Sequence, residues 1–211
     1  EFLIERSLAS RDLFEAERPA LVFFQPCGRN GLLVNEEDHF RGQGFASGLD
    51  LEAALSHCRE VVAPVEKGFL MAIHPKYGYL TACPTNVGSG MRASLLLHLP
   101  ALARRNTPLQ HILHTAQKSG LAVRGVHGEG SRALGHLYQI SNQKTLGGDL
   151  ASQLKGVRDF GIQVVAYESK TRDEILGSEA SRRSLLRDVE QAYTRLQESG
   201  KITTAQALGA L

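Results

Sequence analysis

Little in this sequence points to a disulfide-bonded, membrane-embedded or nucleic-acid-binding protein. The 211 residues include three cysteines, Cys27, Cys58 and Cys83, far apart and odd in number. That excludes a disulfide framework and fits a reduced, cytoplasmic setting. No apolar run has membrane-spanning length and none reads as a signal peptide. A net charge of +2 is too small to argue for nucleic acid. Repeats and low-complexity segments are missing, and so is the G-x-x-x-x-G-K-[ST] pattern of a P-loop. A phosphate ligand would then be held by side-chain cations more than by a Walker-type cradle.

Those cations are mostly of one kind, because 17 of the 24 Lys and Arg residues are Arg. Arginine offers planar, bidentate donors suited to carboxylate and phosphate, although GC-rich coding produces the same bias. The length suits one domain with a small helical appendage. "ALVFFQ" (20–25) and "GLLVN" (31–35) read as a hairpin, and 50–66 as an amphipathic helix capped by Asp50 in spite of Pro64. "FLMAIHP" and "YGYLTA" suggest a second hairpin, while "RASLLLHLPAL" fits a strand or a helix. Residues 107–118 read as a helix with Thr107 as N-cap, Pro108 at its first position and Gly120 beyond its end. "LAVRGV" and "HLYQIS" are further strands, and from about residue 150 the pattern is helical. The expected class is α+β, an antiparallel β-sheet flanked by α-helices.

Four stretches carry chemistry-bearing residues beside turn signals. "VNEEDHFR" (34–41) sets three consecutive acids before Arg41; alone, it would be a solvated turn. "YLTACPTNVGSGMRAS" (79–94) has Cys83 at one end, Arg92 at the other, and Gly88 and Gly90 between them, where glycine permits backbone to approach a ligand. "VRGVHGEGS" (123–131) repeats the arginine-then-glycine pattern at Arg124, and "YQISNQKTLGGD" (138–149) adds neutral polar groups. Several guanidinium groups suit a triphosphate and the oxygens of a transferring phosphoryl group.

In this order and at these intervals, "NEEDHFR", "CPTNVGSGMRAS", "VRGVHGEG" and "YQISNQ" resemble the phosphagen (guanidino) kinase family, specifically its bacterial protein-arginine kinase branch. The resemblance implies a catalytic domain over residues 1–176, with 177–211 beginning a truncated helical domain. It implies phosphorylation of guanidinium nitrogens by Mg-ATP, so ATP and Mg2+ are the expected cofactors and no metal site of the protein's own is. It assigns ATP binding to Arg41, to Arg92, Ala93, Ser94, Leu95 and Leu96, and to Arg124, Gly125, Val126, His127, Gly128 and Glu129. Glu37 would face the substrate guanidinium and Cys83 would meet it as a thiolate, with Glu36 a further candidate. All three arginines would converge on one anionic pocket bordered by Glu37 and Cys83. A fixed carboxylate can take the guanidinium proton, and neighbouring cations favour a thiolate. By the same resemblance the partners are proteins with exposed arginine, a heat-shock repressor, a Clp-type protease and a zinc-finger activator. The setting is a cytoplasmic stress response without nucleic acid or membrane, and a homodimer is the candidate assembly.

Departures from the family are also visible. Nothing in residues 1–33 matches its S-x-R-x-R motif, and Ser7 stands where the branch carries a nucleotide-contacting His. Gly42 replaces an isoleucine and is expected to loosen the strand behind Arg41. Leu150 replaces a second substrate carboxylate, with Asp149 as a substitute. These differences predict weak ATP binding and low turnover by these 211 residues. A small-molecule arginine kinase and a non-catalytic arginine- or phosphoarginine-binding remnant are the rival readings. His111 and His114 read as a solvated helix face, and Cys58 as a helix core residue.

Overall fold

The computed structural model describes residues 2–5, 8–15, 17–125 and 134–210. They form two compact units, Glu1–Ala93 with Lys144–Lys155, and Ser94–Gln143 with Gly156–Leu211.

The first unit opens with two short helices, α1 (Phe2–Glu5) and α2 (Arg11–Glu15), followed by β1 (Leu21–Phe24), β2 (Asn30–Val34) and β3 (Phe40–Gly44). These strands form an antiparallel sheet in chain order, with Leu33 opposite Val22 on one side and Arg41 on the other. Alternation along β2 sorts its residues between two faces. Leu33 is buried with Ala9 and Leu13, and Leu3, Ala20 and Val22 pack around them. Asn30, on the opposite face, donates to His57 O and to Glu60 on α3 (Leu51–Gly68). Asp50 caps α3 by accepting from Ala53 N, as expected, and Pro64 lies inside its last turns.

Gly42 does not loosen its strand. A Cβ there would lie 2.2 Å from Val62 Cγ2, and one at Gly44 would lie 2.0 Å from Ala54 O. The α3 backbone therefore rests almost directly on β3, and these glycines are what that approach requires. Cys58 is half-buried at this contact, and burial pushes its thiol up against the opposing effect of Arg59. A two-residue hairpin, β4 (Ile73–His74) and β5 (Gly78–Tyr79), leads to a 3-10 turn at Pro84–Asn86.

The second unit contains β6 (Ser94–His98), β7 (Leu121–Gly125) and β8 (Leu137–Asn142), with β8 central and antiparallel to both neighbours. Thus "RASLLLHLPAL" is strand and then helix, because Pro100 opens α4 (Pro100–Arg104) immediately after β6. Helix α5 spans Asn106–Lys118 and buries Leu109, Ile112 and Ala116. Arg105, not Thr107, precedes its first turn and supplies no side-chain cap. The fixed φ of Pro108 is tolerated anywhere in that turn, so proline alone misplaced the start. His111 and His114 are exposed, and Gly120 follows the helix at φ +72°.

Helix α6 (Leu150–Gly177) is followed by α7 (Glu179–Glu198) and α8 (Thr204–Gly209), which Thr203 and Gln206 open with a capping box. Val157, Val164, Thr171 and Ile175 lie buried along one face of α6. On that face the Glu168 carboxylate accepts from Ala101 N and Leu102 N, at 2.8 and 2.9 Å, the first turn of α4. The class is α+β as expected, with antiparallel sheets flanked by helices; among the described residues β1–β3 form one three-stranded sheet in the first unit and β6, β8 and β7 another in the second.

Candidate active site

The loop between β2 and β3 gives its three consecutive acids three different fates. Asn35 takes a left-handed conformation at φ 56°, which asparagine tolerates, and its N–H donates to His39 O at 3.0 Å. This tight closure turns Glu36 inward, where it is 5% exposed. Its carboxylate accepts from Ser10 Oγ at 2.6 Å, Arg41 at 2.7 Å and Glu37 N at 2.9 Å. Burial by itself would raise this carboxyl. The Ser10 and Arg41 hydrogen bonds, the Arg41 charge and the Glu37 N–H outweigh it and hold Glu36 below the usual range.

Asp38 turns toward the cysteine loop. Its Oδ1 accepts from Cys83 N at 2.9 Å, and its Oδ2 from Asn86 Nδ2 at 2.8 Å. Glu37 is left exposed between them, with Asn86 Nδ2 at 3.3 Å from its Oε2. Like-charge repulsion among the three acids is relieved because two of them have committed donors.

Cys83 is half-buried just ahead of the 3-10 turn. Its Sγ lies 3.0 Å from Thr85 Oγ1, and its carbonyl accepts from Thr81 Oγ1 at 2.7 Å. The loop continues through Gly88, whose N–H and C=O pair with Tyr79. Gly88 does not wait for a ligand: a Cβ on it would lie 2.3 Å from Thr145 O, so it admits the chain's own backbone.

The expected nucleotide residues are distributed differently. Arg41 is paired with Glu36 through a guanidinium that remains 45% exposed. Arg92 is exposed just before β6, and Ala93 is buried. On β6, Ser94 Oγ accepts from Gln139 at 3.0 Å, Leu95 is buried and Leu96 is exposed, so Leu95 can offer a ligand only its backbone. Arg124 and Gly125 end β7 in the second unit, with Arg124 half-buried opposite Gln139. Val126, His127, Gly128, Glu129 and Ser7 lie outside the described residues. Arg41, Arg92, Glu37 and Cys83 all belong to the first unit. Asp149 has a local duty: its Oδ1 accepts from Ser152 N at 2.7 Å and caps α6. No group of three or more His, Cys, Asp or Glu among the described residues could hold a metal ion.

Comparison with known proteins fixes what kind of domain this is. Residues 1–171 match the model for the ATP:guanido phosphotransferase C-terminal catalytic domain. The chain belongs to the ATP:guanido phosphotransferase family. Over 177 residues, 82% of this guanido phosphotransferase chain and 48% of the relative, it is 44% identical to a protein-arginine kinase of Shouchella clausii. A protein-arginine kinase of Bacillus cereus is 38% identical over 212 residues, 99% of this chain and 58% of that relative. The chain thus spans about half the length of the curated relatives it matches. A duplicated taurocyamine kinase from Schistosoma mansoni superposes with a TM-score of 0.70 at 27% identity, covering 80% of this chain and 25% of that one.

Sequence reasoning singled out Glu37 and Cys83 but missed Ser10 as the partner of Glu36, Asp38 and Asn86 as partners within the acid and cysteine loops, and Thr145 as the partner of Thr85 and Val87. Asp38 left no signal of its own, because its partner Cys83 lies 45 residues away in the sequence. Ser10 left no signal, because it is brought to Glu36 only by the packing of α2.

Proposed function

We propose that this guanido phosphotransferase domain transfers the γ-phosphoryl group of ATP to arginine side chains in proteins. One observation supports the reading: of the three acids in the β2–β3 loop, Glu37 keeps an exposed carboxylate, Asn86 donates to both Glu37 and Asp38, and Asp38 accepts from Cys83 N. A guanidinium has a pKa above about 12 and is a poor nucleophile until a proton is withdrawn. Glu37 accepts that proton as the N–P bond forms, and Cys83 contacts the same guanidinium. The carboxylate also orients the nitrogen for in-line attack.

Nucleotide binding falls to Arg41, Arg92 and Arg124, with the Ala93–Leu96 and Gly125–Glu129 segments. This arginine-rich donor set fits the charge of a polyphosphate. Mg2+ would neutralise charge on the phosphates, entering with the nucleotide. The protein acceptor is favoured over a free amino acid because the relatives named protein-arginine kinase are 36–44% identical, against 27% for the taurocyamine kinase. A heat-shock repressor, Clp-type protease machinery and a zinc-finger activator are the corresponding partners, in a cytoplasmic stress response.

The test incubates the chain with Mg-ATP and either an unfolded model protein or free arginine, reading phosphoarginine by mass spectrometry. The protein becomes labelled, and Glu37→Gln lowers the rate by about 10²–10⁴-fold, the usual worth of general-base help. Labelling of free arginine alone would instead make this a small-molecule kinase. Labelling that survives Glu37→Gln undiminished would remove Glu37 from the mechanism.

A further inference from the structure

We propose that Thr145 is a positioning residue for the acceptor side of the site, setting the loop that presents Cys83 beside Glu37; the inference rests on the kinase reading above. Thr145 follows β8 by three residues and is 5% exposed. Its Oγ1 lies 2.9 Å from Thr85 O and 2.7 Å from Val87 O. Its carbonyl accepts from Ser89 N at 2.9 Å. Between those attachments sits Gly88, pressed so closely on the Thr145 backbone that no side chain fits. One residue therefore holds the loop from both sides of Asn86.

This matters chemically because of what the pinned turn carries. Thr85 brings its hydroxyl to 3.0 Å from Cys83 Sγ, and Asn86 bridges the Asp38 and Glu37 carboxylates. Both side chains extend from backbone whose carbonyl direction the Thr145 hydroxyl sets. A buried threonine that only filled space could be valine. Here the hydroxyl is the part that reaches the loop, and a carbonyl deprived of that donor loses about the worth of one hydrogen bond. Without it the turn loses the tie on either side of Asn86, and the Thr85 hydroxyl loses the support that keeps it 3.0 Å from Cys83 Sγ.

The experiment compares Thr145→Val, which keeps shape and loses the hydroxyl, with Thr145→Ser, which keeps the hydroxyl. Iodoacetamide alkylation of each cysteine in the 211-residue chain is followed by peptide mass spectrometry. Cys27, exposed at the turn between β1 and β2, serves as the reference thiol. Thr145→Val should slow Cys83 by about fivefold, the worth of one hydrogen bond, and leave Cys27 unchanged. Thr145→Ser should match the wild type. In the phosphorylation assay Thr145→Val should lower kcat while KM for ATP stays constant.

An unchanged Cys83 rate in Thr145→Val overturns the proposal, and so does a Thr145→Ser as slow as the valine variant. Should the valine variant fail to fold, Thr145→Ala takes its place: Cys83 must slow in it and not in Thr145→Ser. Alkylation needs no turnover, so the two readings fail separately. A chain with no kinase activity but the expected Cys83 change retains the Thr145 geometry and loses the kinase reading. An active kinase with unaltered alkylation does the reverse.

Discussion

The two units of this chain are stabilised by different means. The second unit contains most of the buried apolar residues: Leu95 and Leu97 on β6, Leu102 on α4, Leu109, Ile112 and Ala116 on α5, Ile140 on β8, and Val157 and Val164 on α6. In the first unit the apolar core is smaller, with Leu33, Leu13 and Ala9 at its centre. There the buried polar residues Asn30, Glu36 and Thr145 and the glycines of β3 stand beside fewer apolar ones than Ser141, Asn142 and Thr171 do in the second unit. Apolar packing is tolerant, because one hydrophobic side chain can often replace another of similar volume. Hydrogen-bonded acids and backbone-to-backbone contacts are not tolerant, since each needs one residue type in one place. The unit that contains Glu37 and Cys83 is the intolerant one.

Gly44→Ala tests that difference most severely. The added Cβ would meet Ala54 O at 2.0 Å and Cys58 N at 2.5 Å, both backbone atoms of α3 that cannot rotate aside. Helix α3 must lift from β3, at a cost of about 3 kcal/mol or more. Gly42→Ala should cost less, about 1–3 kcal/mol, because its nearest neighbour is a side-chain methyl, Val62 Cγ2, and not backbone, though a valine on a helix has little χ1 freedom to turn aside. Hydrogen exchange in peptides covering residues 40–68 reads both effects. Equal protection in Gly44→Ala and wild type would mean the first unit is no less tolerant than the second.

Glu36→Gln comes next. The neutral amide cannot satisfy Ser10, Arg41 and the Glu37 N–H together, so residues 30–44 should lose about 1–3 kcal/mol of protection at pH 7. The pH dependence has a definite sign. A carboxyl held below its ordinary value stabilises the fold above that value, and the contribution disappears as pH falls through the depressed folded-state value. Wild type should therefore lose protection on acidification from pH 5 downward more steeply than Glu36→Gln. Parallel acid profiles would remove Glu36 as a charged support of the loop.

The same contrast explains how much could be read from the sequence. Period-two and helical patterns located β1, β2, β7, β8, α3 and α5 to α8, because apolar burial leaves a periodic trace, while the run that holds β6 fitted strand and helix alike. The strand order β6-β8-β7 left no such trace, since pairing is decided by contacts distant in sequence. The role of Gly42 was misread because looseness and close approach share one residue type, and only the position of α3 separates them. Within the proposed site, ordered motifs are what point to Glu37 and Cys83. The roles of Asp38 and Thr145 were not legible, because their partners lie 45 and 60 residues away from them. A residue that acts by holding another segment shows nothing unusual in its own neighbourhood.

The smallest expected effect belongs to Glu168, a polar group in the apolar unit. It accepts from two N–H groups at the start of α4, where Leu99 offers no side-chain cap. Glutamine keeps one acceptor oxygen, so Glu168→Gln should cost only about 1 kcal/mol at pH 7. Its pH behaviour is more telling. Burial holds His136 below the ordinary histidine value, the His98 and Arg104 charges act in the same direction, and Glu168 opposes them. A histidine with a lowered folded-state value binds its proton more readily when unfolded, so stability falls as pH drops below about 6.5. Removing the Glu168 charge lowers His136 further, and the deficit of Glu168→Gln against wild type should widen between pH 7 and pH 5.5. Hydrogen exchange of residues 100–105, measured across that range, reads it. A deficit larger than that of Glu36→Gln at pH 7 would place the less tolerant polar support in the second unit and reverse the contrast.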